Sequence, residues 1–185
     1  HVYYCDIPSF YKKIYKGYLY PGRHGIWLKR VAPMIHDLDE RYHFDVIHQI
    51  APVEFRSLIE LGETDAVKIS GPQGGAEYAP KPLDRYLRPV ALFEAIRRCS
   101  NWLIIHKPSF RKAYRSFDTH LFANRESKQY FIDHGIDASN DIVKTEVGCW
   151  PEAWQEHQRE SHEVPHILYV GRYIPRKGVE LLLDA

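Results

Sequence analysis

Near one end of the chain, Gly171-Arg172 is followed after a short spacer by Lys177-Gly178. Arginine presents a planar fork that matches phosphate oxygens, and lysine a compact positive charge. Glycine on either side lets backbone approach a ligand closely. Free N–H groups at the head of a following helix would point at the same anion. The chemistry this spacing suits is the grip of a diphosphate. The plain alternative is a basic surface turn. The flanks favour the site: Ile167-Leu168-Tyr169-Val170 reads as a buried strand, and Val179-Glu180-Leu181-Leu182-Leu183 as the first turns of a helix.

A second group of candidates lies earlier. Gly71-Pro72-Gln73-Gly74-Gly75 directly follows an apolar run, so Gly71, Gly74 and Gly75 would allow close approach to a ligand. Otherwise they make only a tight turn. His48 ends another apolar run; it is either a hydrogen-bonded core residue or a catalytic group. Arg56 is either a solvated surface charge or a contact for an acceptor. His157, His162 and His166 do not share one helical face, and Pro165 separates the last two, so a solvated linker is the reading and no metal is expected. The glycines of 71–75 do not make the dinucleotide fingerprint, and no Walker sequence is present. Ser70 lacks the Gly-x-Ser-x-Gly setting of a hydrolase.

The elements that would position these residues alternate. An amphipathic helix is predicted through Trp27, Val31, Met34, Ile35 and Leu38, after an irregular stretch over 1–25. Strands are predicted at 44–48, 66–70, 117–123, 142–147 and 167–170. A short helix is expected over 53–61, a polar loop over 77–84, a long helix over 88–106 marked by Phe93, Ile96, Leu103 and Ile104, and a helix over 126–134 stopped by Gly135. This order implies an α/β fold with a parallel sheet. Ligands of such sheets lie beyond the carboxyl ends of strands, which selects His48-Gln49, Gly71–Gly75, Asn124-Arg125-Glu126 and Gly171–Gly178.

With 25 Lys and Arg against 24 Asp and Glu, no net field draws the chain to nucleic acid. No apolar run approaches the roughly 18 residues that cross a bilayer. Cys5, Cys99 and Cys149 form neither a disulfide framework nor a metal pattern, so a reducing, cytoplasmic compartment is expected. Lys12, Lys13 and Lys16 with Tyr11, Tyr15 and Tyr18 offer a peripheral membrane contact, against a default of a solvated loop.

Gly-Arg, spacer, Lys-Gly and a leucine-rich helix start resembles the opening of the donor domain of family 4 glycosyltransferases, which have the GT-B fold. Phe44-Asp45-Val46-Ile47-His48-Gln49, Phe55-Arg56 and Gly71–Gly75 are similar to the acceptor-side domain of one bacterial-type branch, and Phe117–Asn124 resembles its late strand. The resemblance runs from about residue 25 onward. It implies a Rossmann-like N-terminal domain over 1–150 without its first strand and glycine loop. A hinge would follow over 151–165, then the first strand and helix start of a nucleotide-sugar domain over 166–185. A pair of glutamates typical of the family would lie beyond Ala185, so the chain as given is not expected to turn over substrate. The implied activity is transfer of a sugar, with retention, from a nucleotide sugar to a glycan or lipid-linked acceptor, as in polysaccharide biosynthesis. Gly171, Arg172, Lys177 and Gly178 would hold the donor diphosphate, the helix dipole starting at Gly178 would add to them, and no metal or other cofactor would be needed. Arg56, Gly71, Gly74 and Gly75 would line the acceptor cleft, and His48 would act beside the sugar between the domains. The alternatives are a non-catalytic nucleotide-sugar-binding or scaffold fragment and a GT-B epimerase acting on a nucleotide sugar.

Overall fold

The computed structural model describes residues 1–16, 22–145, 164, 166–174 and 177–184. The chain divides into two compact units, one of residues 1–77 with 100–146, the other of residues 78–99 with 147–185. The expected hinge over 151–165 lies outside the described residues except for Val164.

The first unit is α/β. Its sheet holds β1 (Val46–Gln49), β2 (Val67–Gln73), β3 (Thr119–Phe122) and β4 (Ile142–Val143), all parallel and in that order. Val46 stands opposite Val67, Ile69 opposite Thr119, and Leu121 opposite Ile142. The strand positions follow the apolar runs. Because the order repeats chain order, the described strands contain no reversal, and their carboxyl ends alone mark where a ligand would sit.

The helices α1 (Ser9–Ile14) and α2 (Gly22–Tyr42) replace much of the irregular stretch expected over 1–25. Pro8 precedes α1, and its carbonyl accepts from the Tyr11 N–H at 3.0 Å, which closes the first turn. Arg23 then ties the segment down by donating to the carbonyls of Tyr15 and Lys12. Along α2, Trp27, Leu28, Val31, Ala32 and Ile35 pack with Ile59, Leu61 and Phe117. Trp27, Val31 and Ile35 are positions the helical spacing predicts, whereas Met34 and Leu38, also expected on this face, are not in the cluster.

Three expected elements change form. The segment 53–61 contains only a 3₁₀ turn, Phe55–Ser57, in place of a helix. The Val53 carbonyl and the Phe55 N–H are engaged with Gly74, so they are not available for helical bonds. The long helix starts later, as α3 (Ala91–His106), behind a 3₁₀ stretch Lys81–Val90. Pro89 disfavours the α conformation at Arg88 before it, so the α-helix begins after the proline. In the second unit, residues 166–170 form no strand, and Ile167, Leu168 and Val170 are exposed. An apolar run becomes a strand only where a neighbour supplies ladder bonds, and among the described residues none pairs with it. The expected first strand of a second domain is therefore absent from the described residues, although α6 (Val179–Asp184) follows the turn as expected.

One helix was not anticipated: α4 (Pro108–Arg115), with proline at its start, where a missing N–H costs nothing. Its Phe110, Ala113 and Tyr114 are buried. The α5 helix (Arg125–Asp133) begins on the Asn124 side chain, which accepts the Ser127 N–H at 2.8 Å, and Gly135 follows it at φ 71. Among the described residues, no helix is long and apolar enough to cross a membrane.

The main core is aromatic. Phe55, Phe110, Tyr114 and Phe122 surround Phe131 with ring centroids 4.9–6.0 Å away, several of them edge to face. Phe131 is fully buried, so truncation leaves a cavity among rings that have little room to collapse. Phe131→Ala is expected to lower unfolding free energy by about 3–5 kcal/mol, read from denaturant midpoints. A loss under about 1 kcal/mol would mean this core is not formed as described.

Candidate functional site

The carboxyl end of β2 carries the unusual geometry. Gly71 has φ 107, and a Cβ there would lie 2.1 Å from the Leu121 carbonyl oxygen and 2.9 Å from the Gln73 nitrogen. Those neighbours are backbone and cannot yield, so only glycine fits. Pairing with β3 slips between Ser70 and Gln73, which makes a bulge around Gly71-Pro72. In a regular strand, residues three apart point to opposite faces. The bulge returns Gln73 to the side of Ser70, and the Gln73 Nε2 donates to Ser70 Oγ at 2.5 Å.

Both residues are buried against His120. Its Nε2 faces the Tyr114 carbonyl at 2.9 Å and must carry the hydrogen, so Nδ1 accepts from Ser70 Oγ at 2.5 Å. The ring lies flat on Tyr114, with centroids 3.6 Å apart. The Tyr114 hydroxyl donates to Asp141, which also accepts the His120 N–H at 3.0 Å. Burial holds His120 below its ordinary pKa, with Asp141 opposing the shift. Burial, then the bond to Asp141, pushes the Tyr114 hydroxyl well above the usual tyrosine range. Although Ser70 meets a histidine, the pair is sealed from solvent and the second ring nitrogen bonds a carbonyl rather than a carboxylate. This is a structural network. Sequence reasoning missed it, because its members come from β2, β3, α4 and the residue before β4.

Just beyond the bulge, the glycine backbone is fully engaged. Gly74 N–H donates to the Val53 carbonyl at 2.8 Å, and the Gly74 carbonyl accepts from Phe55 N–H at 3.1 Å. The Gly75 carbonyl accepts from Asn101 Nδ2 at 3.0 Å. Its N–H donates to the Glu77 carboxylate at 2.8 Å, which also accepts from the Ser127 hydroxyl at 3.1 Å. An oxyanion therefore already sits on the Gly75 amide, and it belongs to the chain itself. Arg56 is half-buried, ion-paired with Glu54 and bonded to the Asn101 side chain at 3.1 Å. It organises this edge rather than standing as a free cation. The side chain of His48 contacts the Gly71 carbonyl through Nε2 at 2.8 Å. The structure thus joins His48 to Gly71, and links Arg56 to Gly75 through Asn101. Glu54, Asn101 and Ser127 were missed. The sequence signal for Ser127 was its place three residues after Asn124, a helix-capping spacing.

In the second unit, Arg172 and Lys177 are exposed and form no ion pair with described residues. The turn is held by its own backbone: Ile174 N–H to the Arg172 carbonyl at 2.9 Å, and Lys177 N–H to the Ile174 carbonyl at 2.8 Å. Gly178 takes φ 68 just before α6. A Cβ on Gly171 would meet only the flexible Tyr169 ring, so its need for glycine is weaker than that of Gly71. With α6 six residues long, the capacity of this stretch for an anion rests on the two side chains. His157 and His162 lie outside the described residues. On α2, His36, Asp37 and Glu40 approach one another, but all three are exposed, and a helical pair at four-residue spacing accounts for them.

Gly71→Ala is expected to cost about 3 kcal/mol or prevent folding, since strain and a backbone clash combine. Gly25→Ala, in α2 with no atom within 4 Å, is expected to leave stability unchanged or raise it. Equal effects, measured by chemical unfolding, would remove the constraint assigned to Gly71. A second outcome concerns pH. A depressed folded pKa means the unfolded chain binds the proton first, so stability is full above 6.5 and falls as pH drops from there through the lowered value. Melting temperature should decline from about pH 7 to about pH 5, and His120→Asn should flatten that decline. Comparison with known proteins returned no match: no family model, no curated protein and no solved structure aligns significantly with this chain.

Proposed function

We propose that the chain carries elements of a GT-B glycosyltransferase of the family 4 type, which moves a sugar with retention from a nucleotide sugar to a hydroxyl of a glycan or lipid-linked acceptor. The observation that carries this reading is the turn from Gly171 to Gly178, with two exposed cations that pair with no acid among the described residues. A nucleoside diphosphate gains negative charge as the glycosidic bond breaks, and fixed cations stabilise that charge without a metal. Arg172 takes two oxygens through its fork, and Lys177 the neighbouring phosphate. His48, bonded to the Gly71 carbonyl at 2.8 Å at the carboxyl end of β2, is the group this reading places beside the sugar. Arg56 contributes by holding Asn101, and through it Gly75, in place.

Isothermal titration of the chain with UDP and with GDP tests this. One of the two should bind, and Arg172→Ala and Lys177→Ala should each weaken it about tenfold or more, the expected loss for one charge-assisted contact. Chelator should leave the binding unchanged. Binding that ignores both substitutions would reduce the motif to a surface turn and remove the support for glycosyl transfer.

A further inference from the structure

The α3 helix is amphipathic in the reverse sense. Its inward positions include Glu94 and Asn101, the latter 0 % exposed, with Ile105 beside them. These polar groups are satisfied: Glu94 accepts from Arg97 at 2.7 and 3.0 Å, and Asn101 bonds Arg56 and Gly75. The opposite stripe reads Leu92, Ile96, Cys99 and Leu103, in steps of four, three and four, which is one face of a helix. Leu92 is 76 % exposed, Ile96 59 % and Leu103 56 %, and the rings of Phe93 and Trp102 border the stripe, each about half exposed. A soluble helix normally turns such a stripe to the core. A contiguous apolar face left outward marks an interaction surface.

Charge selects what covers it. Residues 78–115 hold nine Lys and Arg against two Asp and Glu, while the remainder holds sixteen against twenty-two. Of the two acids, Glu94 is buried against Arg97. Lys81, Arg85 and Arg88 stand exposed just before α3, Arg98 on it and Lys107 just after it. A second copy docked face to face would bring like charges together. An anionic lipid surface takes both features: apolar side chains enter at the headgroup boundary, and long basic side chains reach the phosphates.

We propose that the outward face of α3 docks on an anionic lipid surface. Lys12, in the basic stretch near the start of the sequence, is paired with Asp6, and the docking of α3 does not depend on the chain transferring sugars. Flotation of the chain with vesicles of phosphatidylcholine, alone or mixed with phosphatidylglycerol, tests it. Binding is expected to the mixed vesicles only, to fall with added salt, and to shift tryptophan emission to the blue, a shift that Trp102→Phe largely removes. Leu92→Asp with Ile96→Asp should abolish binding. Arg85→Gln, Arg88→Gln and Arg98→Gln together should weaken it roughly a hundredfold and flatten its salt dependence. All these positions are exposed, and circular dichroism checks that each variant folds. No binding to mixed vesicles, or equal binding to both kinds, overturns the proposal. So does self-association without lipid that Ile96→Asp removes, which would assign the face to a second copy.

Discussion

At residue 71 the chain has no space for a side chain, and the arrangement of the first unit follows from that. β2 presses its backbone against the Leu121 carbonyl, and the resulting bulge turns both Ser70 and Gln73 inward. Their side chains meet the buried His120, which lies flat on Tyr114, and Tyr114 in turn holds Asp141. In the other direction the bulge delivers Gly74 to Val53 and Phe55, and so places the Phe55 ring against Phe110 and Phe131. The aromatic core and the polar network are two sides of one backbone feature. Gln73 Oε1, buried and unbonded among the described residues, is where that double demand is left incomplete.

The same edge shows why an inventory of charged residues misleads. Arg56 reads from the sequence as a cation available to an acceptor, yet Glu54 lies two residues away and neutralises it. The glycines read as open backbone, yet Glu77 already places a carboxylate on the Gly75 amide. Both neutralising groups are close in sequence. What makes them partners is the extended path of residues 53–55 against Gly74, a non-local pairing that local spacing does not encode.

Much of the fold was legible. Apolar runs located β1 to β3, Gly135 marked the end of α5, and the period of α2 put Trp27, Val31 and Ile35 on its packed face. Three things were not. The run 167–170 has strand composition without a described partner, and composition cannot supply one. The Ser70–His120 contact joins residues fifty positions apart through a bulge. For α3, Phe93, Ile96 and Leu103 marked a helix correctly, but periodicity only shows that a helix has an apolar face. Which way it turns depends on the groups its other side meets: Asn101 bonds Arg56 and Gly75, and Ile105 enters the aromatic core.

The order of the strands has a consequence for how the sheet is built. Each strand pairs with its immediate predecessor along the chain, so the sheet extends from one edge outward and never has to admit a strand between two already joined. During synthesis, every new strand would find its docking edge waiting. The steps are unequal: the short return from β1 to β2 closes a small loop, whereas β3 must wait for residues 74–118 to emerge and fold back. Until then β2 is an open parallel edge whose glycine bend lacks the Leu121 carbonyl it will press against, which makes assembly of that joint the slow, aggregation-exposed interval for this topology.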